Sequence, residues 1–407
     1  MESVETYLAD IRAAIRPLPA RELPLAEALG AVLVADVTAR WPLPSFDNSA
    51  MDGYAVRAAD VSAATEDSPV VLAVNGEIAA GDTGKHELVP GMVIRIMTGA
   101  PMPDGADAVV PVELTDGGTD RVTIRAAVSA GASVRLMGGD ARPGDVLLTA
   151  GTRLGAVHLG LLAAAGHGTV TARPRPRVTV ISTGNELVEP GTELIPGQIW
   201  ESNATMLAAA AREEGCAARR YPIVRDDVDA VLAAVQDALA DADLLITSGG
   251  VSMGGEHDVV KAALSTLGTV TFRKVAMQPG MPQGFGAVGP AGTPIFTLPG
   301  NPVSAYVSFC LFVKPALDAL QDSRPQDSDQ ERAKPERAEL TQPVRSPAEK
   351  RSFLRGVLDR QAGLVTPVSG QASHQLASLA KANALVIVPE QVTSLVAGDT
   401  VDILELR

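Results

Sequence analysis

Residues 243–258, DLLITSGGVSMGGEHD, form the stretch that decides the predicted fold. Leu244, Leu245 and Ile246 make a short apolar run that suits a buried central strand. The run ends in the small residues 247–250 (TSGG), which let a backbone pass close to a bulky ligand. A strand that ends in glycines and leads into a helix is the usual anion site of an open parallel sheet. The stretch therefore predicts an α/β domain that binds an anion, although a glycine-rich turn with ordinary capping acids would look the same.

On both sides of this stretch, from residue 175 to residue 321, apolar strands alternate with helical patterns. The strand-like runs are RVTVIST, CAARRYPIV, DLLIT, TVTFRKVAM and PIFTL. Helical patterns cover residues 203–214, 227–240, 257–267 and 302–320. This alternation predicts a doubly wound α/β domain with a mostly parallel sheet.

The rest of the chain predicts three further units. Residues 45–140 are strand-like with closely spaced turn signals, which indicates a small β domain inserted into the chain. Residues 1–44 and 141–174 then form a discontinuous N-terminal helical and β domain. A polar, proline-punctuated linker covers residues 322–337, and a C-terminal β domain covers residues 338–407.

The composition limits the classes of function that the chain can have. Its 407 residues are too many for one ordinary core, and 46% of them are hydrophobic, which indicates a globular protein of several domains. The net charge of −14 and the aromatic content of 3% argue against a nucleic-acid surface. Two cysteines and a first segment unlike a signal peptide predict a cytoplasmic location. No apolar run reaches the ~18 residues that cross a bilayer, so we expect no membrane contact.

Four loops of the α/β domain follow predicted strands, and all four carry small or acidic residues. They are residues 183–186 (TGNE), 225–227 (RDD), 248–258 and 298–304 (LPGNPVS). Because the carboxyl ends of parallel strands lie at one edge of a sheet, we expect the loops to form one binding site. The expected ligand contacts in these loops are Thr183, Gly184, Ser248, Gly249, Gly250, Ser252, Gly254, Pro299, Gly300, Asn301 and Pro302.

Three acids in these loops, Glu186, Asp226 and Asp258, are far apart in the sequence but should converge at that edge. Three carboxylates without a balancing base indicate Mg²⁺ or a similar hard cation. Such a cation would accompany a phosphate bound near the helix N-terminus. The alternative is that each acid caps the helix that follows it.

Six motifs in chain order carry a resemblance to a known family. They are SFDNSAMDGYAV, IMTGAPMPDGADAVV, ISTGNEL, LLITSGGVSMGGEHD, PGMPQGFG and LPGNPVSAYVSF. Together they closely resemble the molybdopterin molybdenumtransferases, that is, MoeA and the E domain of gephyrin. The resemblance covers nearly the whole chain, whereas the α/β domain alone would also fit the molybdopterin adenylyltransferases.

The resemblance implies a place in molybdenum cofactor biosynthesis. The expected reaction inserts molybdate into adenylylated molybdopterin and releases AMP, with Mg²⁺ assisting. It also implies an elongated homodimer, whose active cleft lies between the α/β domain of one subunit and the small β domain of the other. Contacts with molybdopterin adenylyltransferase and with molybdoenzymes are compatible with this role.

Matching the motifs one by one assigns roles to individual residues. The small β domain and its junction supply Asp52, Thr98 and Asp140, and the tail domain supplies Arg355 and Ser373. The α/β domain supplies the acids at 186, 226 and 258, and a basic residue on a neighbouring strand. The positions expected to be catalytic are Asp52, Thr98, Asp140, Glu186, Lys274, Arg355 and Ser373.

Two positions depart from the pattern of the family. Gln278 stands where many members carry a lysine, and Met281 replaces another basic residue. Because molybdate, the dithiolene and the adenylyl phosphate are all anionic, charge neutralisation is the main task expected of the site. Two alternatives stay open: an ATP-dependent molybdopterin adenylyltransferase, and a weakly catalytic paralogue that acts as a scaffold or cofactor carrier, which the departures at Gln278 and Met281 support.

Overall fold

The computed structural model describes residues 1–249, 259–265, 269–322 and 336–406. A six-stranded sheet forms the centre of its α/β domain. Its strands, in spatial order, are Ala217–Arg220, Arg177–Ser182, Leu244–Ser248, Thr293–Leu298, Pro282–Val288 and Thr271–Lys274. The first four run parallel, and the last two are antiparallel to their neighbours. The predicted mostly parallel sheet is confirmed.

The strand Leu244–Ser248 lies in the middle of this sheet and is buried along its whole length. Leu244 and Ile246 pack on one face and Leu245 packs on the other, because successive side chains of a strand alternate. Helices cover both faces, which explains why the strand reads as a continuous apolar run. The helices are Asn203–Glu213, Pro302–Ser308 and Lys314–Gln321 on the first face, and Val228–Ala238 and Val259–Ser265 on the second.

The strand Pro282–Val288 is absent from the strands predicted above. Its two glycines disfavour a strand by propensity, and close packing requires both of them. A Cβ atom on Gly284 would lie 1.9 Å from the Oγ1 atom of Thr297, and one on Gly286 would lie 2.3 Å from the carbonyl oxygen of Thr269. In the strand Pro282–Val288, the close approach of neighbouring atoms therefore outweighs the low β propensity of glycine.

The first helix, Val4–Ala14, packs on the α/β domain. Its buried face, Val4, Tyr7 and Ile11, follows helical spacing and lies in the main α/β core. The ring of Tyr7 meets that of Phe312 edge-on, with centroids 4.8 Å apart. The sequence predicts that this helix belongs to the N-terminal domain. In the structure its apolar contacts are with the α/β domain.

Two distant segments of the chain, one before and one after the small β domain, build the N-terminal domain. A three-stranded antiparallel sheet joins Arg21–Pro24 and Val32–Leu33 to Thr169–Arg173. A second pair joins Val37–Thr38 to Val146–Leu148. The helix Ala156–Ala164 and the short 3₁₀ segment Leu25–Glu27 complete the domain, whose small core includes Leu23, Leu33, Leu154, Leu162 and Val170.

The small β domain is a five-stranded sheet with an apolar cluster on each face. In spatial order its strands are Ala108–Pro111, Gly53–Val56, Met92–Ile96, Val70–Ile78 and Arg121–Ile124. A two-stranded pair, Asn48–Ser49 with Val134–Arg135, lies beside it. Two 3₁₀ segments, Ala58–Val61 and Val112–Leu114, follow strands of the sheet.

The C-terminal domain is a closed barrel of five strands. They are Arg351–Asp359, Leu364–Pro367, Glu336–Leu340, Thr400–Glu405 and Ala384–Val388, and the last pairs back to the first. The α/β strand Met277–Gln278 adds to the barrel, in parallel with the start of Arg351–Asp359. The helix Leu376–Lys381 and the pair Val344–Arg345 with Ser394–Leu395 complete it. Residues 336 and 337, predicted as linker, belong to a barrel strand.

One helical stretch of the α/β domain is apolar enough to resemble a membrane span. Pro302–Gln321 is continuous through a π turn at Phe309–Val313 and reaches a mean hydropathy of 1.4, so its length and composition would suit a bilayer. However, 61% of it is buried inside the protein, where it packs in the main α/β core. We therefore interpret it as a core helix.

Candidate functional site

The loops at the carboxyl edge of the central sheet are tied together by their backbones. The N–H of Thr183 donates to the carbonyl oxygen of Ser248 at 3.2 Å, and the N–H of Gly249 donates to that of Leu298 at 3.3 Å. The N–H of Gly184 donates to the carbonyl oxygen of Val224 at 3.1 Å. Three of the four predicted loops thus meet at one edge, together with the strand end that leads into the loop 225–227.

Two glycines allow this close approach. Gly249 has a φ of +101°, and a Cβ atom there would lie 2.8 Å from the carbonyl oxygen of Thr183. A Cβ atom on Gly300 would lie 3.6 Å from the Cα atom of Gly249, so the two loops are in backbone contact. A side chain at position 249 would push the strand ends apart.

Asn203, which the sequence reasoning missed, bridges two of these loops. Its Nδ2 atom donates to the Oγ atom of Ser248 at 2.8 Å and to the carbonyl oxygen of Gly300 at 2.6 Å. Its Oδ1 atom and the Oγ1 atom of Thr183 are buried without a hydrogen-bond partner in the described part of the chain. Both atoms therefore depart from the usual pattern, since buried polar groups normally find a partner. The sequence signal that could have identified Asn203 is its position in the first turn of a predicted helix.

Two of the three predicted acids, Glu186 and Asp226, lie among the described residues, and both are exposed. A Cβ atom on Gly184 would lie 2.6 Å from the Oε1 atom of Glu186, so the glycine makes room for that carboxylate. Asp227, and not Asp226, caps the helix Val228–Ala238, since its Oδ1 atom accepts from the N–H of Ala230 at 2.9 Å. The capping alternative is therefore wrong for Asp226. We call Glu186 and Asp226 the acidic edge.

A further acid, Glu201, was missed by the sequence reasoning because nothing in the sequence marks it as buried. Its Oε1 atom accepts from the Oγ atom of Ser182 at 2.9 Å and from the N–H of Ala204 at 2.5 Å. Its Oε2 atom lies 3.5 Å from the guanidinium of Arg220. These contacts satisfy the start of the helix Asn203–Glu213, so Glu201 holds the fold of the edge and is not free to bind a ligand.

A cavity of about 450 Å³ lies between the α/β domain and the barrel. We call it the interdomain cavity, and its lining comprises Met277, Gln278, Pro279, Gly280, Met281, Pro282, Pro299, Asn301, Ser304, Lys350, Gln371, Ala372 and Ser373. Asn301 donates through Nδ2 to the Oγ atom of Ser373 at 3.0 Å, and the N–H of Val303 donates to the carbonyl oxygen of Ser373 at 3.0 Å. Ser373 thus reaches the loop 298–304.

Comparisons with known proteins agree with this architecture. Family models described as the MoeA N-terminal region (domain I and II), a probable molybdopterin binding domain and the MoeA C-terminal region (domain IV) match residues 2–166, 179–319 and 337–406. The chain belongs to the MoeA family. The family resemblance and the multidomain α/β fold predicted from the sequence are both confirmed.

Individual relatives of this MoeA-family chain support the same assignment. It is 48% identical to molybdopterin molybdenumtransferase 2 of Mycobacterium tuberculosis (strain H37Rv), over 100% of both chains. It is 38% identical to the molybdopterin molybdenumtransferase of Bacillus subtilis, over 94% of this chain and 89% of that one. The crystal structure of the molybdopterin biosynthesis MoeA protein from Pyrococcus horikosii is similar, with a TM-score of 0.73, 33% identity, and coverage of 100% and 99%.

Arg355, which the sequence predicts to be catalytic, is buried in the barrel domain of this MoeA-family chain. Only 1% of it is exposed, and its guanidinium donates to the carbonyl oxygens of Gly370 at 2.6 Å and Ala372 at 3.1 Å. Burial lowers the pKa of Arg355 below its ordinary value. The side chain therefore holds the segment that carries Ser373, and its charge is directed at backbone carbonyls.

The small β domain brings two of its predicted residues together. The N–H and the Oγ1 atom of Thr98 both donate to the Oδ1 atom of Asp52, each at 2.7 Å. These hydrogen bonds hold the pKa of Asp52 below its ordinary value. Asp140 is exposed, and its N–H donates to the carbonyl oxygen of Leu43 at 2.9 Å. Within the described part of the chain, no hydrogen bond or salt bridge links these three residues to the α/β loops.

The remaining predicted residues are placed as follows. Lys274 is exposed at the end of its strand, next to Val275, whose N–H donates to the carbonyl oxygen of Met281 at 2.9 Å. Pro302 begins the helix after the loop 298–304. Gly250, Ser252, Gly254 and Asp258 lie outside the described residues. Among the described residues, no group of three or more His, Cys, Asp or Glu side chains could hold a metal ion, so the Mg²⁺ site stays a prediction.

Proposed function

We propose that this MoeA-family chain is a molybdopterin molybdenumtransferase, which inserts molybdate into adenylylated molybdopterin and releases AMP. The observation that carries the proposal is the convergence of glycine-bearing loops at the carboxyl edge of the sheet. There Asn203 and Thr183 leave buried polar atoms unpaired among the described residues. A pterin or phosphate group that lay against Gly249 and Gly300 would satisfy these atoms.

Mg²⁺ is part of the proposal, and the donor set suits it. Glu186 and Asp226 offer exposed carboxylate oxygens, the ligands that a hard cation prefers. Described contacts leave the Asp226 carboxylate unused, because the neighbouring Asp227 performs the capping. We assign Asp258 to the same cation by motif alone. When bound, the ion would neutralise phosphate charge, while Glu186 and Asp226 would orient the adenylyl group.

The interdomain cavity is our proposed place for the oxyanion. Ser304, Ser373 and Asn301 offer hydroxyl and amide groups, and the helix that begins at Pro302 directs its positive end towards it. Lys274 lies on the strand that leads towards the loop of Gln278. Molybdate bound here would lie beside the loop 298–304, whose other side contacts Asn203 through Gly300.

We further propose a homodimer in which Asp52, Thr98 and Asp140 complete the acidic edge of the partner subunit. Both surfaces that would meet in this dimer carry exposed apolar side chains. The small β domain exposes Leu136 and Met137, and the α/β domain exposes Ile199 and Trp200. Clusters of this kind mark interaction surfaces. Contacts with molybdopterin adenylyltransferase and molybdoenzymes would then deliver substrate and accept product.

A cytoplasmic location completes the proposal. Cys216 and Cys310 are both free, and burial raises the pKa of each thiol to about 12. Two unpaired, unreactive thiols suit a reducing compartment.

The test is molybdate-dependent release of AMP from adenylylated molybdopterin, with tungstate assayed in parallel. We expect AMP only when an oxyanion and Mg²⁺ are present. ATP and molybdopterin without molybdate form the control, because pyrophosphate release there would identify an adenylyltransferase instead. Bound molybdopterin without any oxyanion-dependent AMP would contradict the transferase and favour a carrier.

A further inference from the structure

We propose that Lys350, a barrel residue, supplies the positive charge of the interdomain cavity that Gln278 and Met281 do not supply. The inference rests on the proposed function, since it assigns the cavity to the oxyanion substrate. It adds a substrate-binding residue from a domain that contributed only Arg355 and Ser373 to the predicted site.

The charge inventory of the cavity is the first observation. Among the described residues that line it, Lys350 carries the only formal charge, and the lining contains no carboxylate. This is unusual in a chain with a net charge of −14. Hydroxyl and amide groups with a single ammonium and no acid form an environment that favours an anion over a cation.

The second observation concerns the acids near Lys350. Glu5 and Glu390 both pair with the neighbouring Arg351, whose guanidinium lies 3.1 Å from Glu390 and also donates to Glu5. Lys350 itself forms no salt bridge within the described part of the chain. Because Arg351 engages Glu5 and Glu390, neither of these acids neutralises Lys350, and its charge remains available to a ligand.

The third observation is that the backbone on both sides of Lys350 is anchored. Glu349 has a φ of +63°, a left-handed conformation that non-glycine residues rarely adopt, and its N–H donates to the carbonyl oxygen of Glu390 at 3.0 Å. The N–H of Arg351 donates to the carbonyl oxygen of Ala276 at 2.9 Å, where the barrel pairs with Met277–Gln278. Strained positions persist where the surroundings hold them, often at functional sites. Lys350 is thereby held opposite the loop of Gln278 and Met281.

A lysine in this role has a consequence for specificity. Its ammonium is a flexible point charge, unlike the planar fork of an arginine, so it attracts a tetrahedral oxyanion without reading its exact size. We therefore expect Lys350 to strengthen molybdate and tungstate binding to a similar extent.

The test compares Lys350→Gln with the wild type by calorimetric titration of sodium molybdate and sodium tungstate, without any pterin. One charge-assisted contact predicts a dissociation constant about 10-fold or more higher for both oxyanions. With pterin substrate, the KM for molybdate should rise while kcat changes little. Lys381→Gln, which removes an exposed lysine of the same barrel domain outside the cavity, should bind like the wild type.

A second variant separates charge from folding. Lys350→Gln combined with Met281→Lys returns the charge from the opposite wall, and we expect it to restore most of the oxyanion affinity. Wild-type affinity in Lys350→Gln, or no molybdate binding by the wild type, would overturn the inference. The proposed function fails separately: if molybdate binds through Lys350 but no AMP is released, the transferase is wrong while the role of Lys350 stands.

Discussion

The acidic edge and the interdomain cavity lie on opposite sides of one loop, residues 298–304, and differ in charge. At the acidic edge, Glu186 and Asp226 are exposed beside glycine-bearing strand ends. In the cavity, carboxylates are absent from the described lining, and Lys350 is the single charged group. Under the proposed function, this difference would divide the work of the site: one side would attract a cation with its phosphate, and the other would attract an oxyanion. Two substrates of like charge could then bind a short distance apart.

The largest effect should come from breaking the acidic edge at Asp226. Asp226→Ala removes a carboxylate that no described residue uses, so we expect turnover to fall about 100-fold or more with the fold intact. Asp227→Ala is the matched control, because it removes the adjacent helix cap and should cost about 1 kcal/mol of stability while turnover survives. The measurements are AMP release across a range of Mg²⁺ concentrations and urea unfolding. Equal turnover in the two variants would contradict the assignment.

A smaller effect is expected on the cavity side from Arg355→Met. The carbonyls of Gly370 and Ala372 lose their donors, so the segment that carries Ser373 should shift and the KM for molybdate should rise about 10-fold. Arg360→Gln, which breaks an exposed barrel ion pair with Glu405, should leave the KM unchanged. Steady-state kinetics at varied molybdate distinguish the two. A fall in kcat at unchanged KM would instead mean that Arg355 acts on the chemical step.

The smallest effect should appear in the pH dependence of Thr98→Val. The hydroxyl and the N–H of Thr98 hold the pKa of Asp52 below its ordinary value, so the charged carboxylate is favoured in the folded protein. The stability that this provides is present above the unfolded pKa and is lost as the pH falls through the lower folded value. Removing the hydroxyl raises the pKa of Asp52, which should shift the acid limb of the kcat/KM profile to higher pH.

The control for this shift is Thr341→Val, which removes a hydroxyl that donates to Thr366 in the barrel. Its acid limb should coincide with that of the wild type. An unshifted limb in Thr98→Val would mean that the ionisation of Asp52 does not limit the reaction.

Much of this fold could be predicted because its strongest signals are local. The apolar run at Leu244–Ser248 predicted a buried central strand, and it is one. Short apolar runs followed by small or acidic residues predicted loops at one sheet edge, and the backbone bonds of Thr183 and Gly249 bring three of them together. These predictions succeed because strand direction and chain order determine where the carboxyl ends lie.

The rest depends on contacts between residues that are far apart in the chain. Whether Asp226 or Asp227 caps the helix depends on which carboxylate reaches the N–H of Ala230, and the two are adjacent in sequence. The sequence does not show that the guanidinium of Arg355 is used by the carbonyl oxygen of Gly370, because the two residues meet only in the folded barrel domain. Lys350 belongs to none of the sequence motifs. Its proposed role in oxyanion binding depends on the contact between Arg351 and Glu5 of the first helix, which the sequence does not reveal.

The short strand Met277–Gln278 belongs by sequence to one domain and hydrogen-bonds into the barrel of another. This pairing and the contact from Arg351 to Glu5 connect the first helix, the strand Met277–Gln278 and the C-terminal barrel to one another. Anyone who grafts the tail of a relative onto this protein should therefore transplant three segments and not one. In a chimera joined only within residues 322–336, the interdomain cavity would be lined by residues of two different proteins.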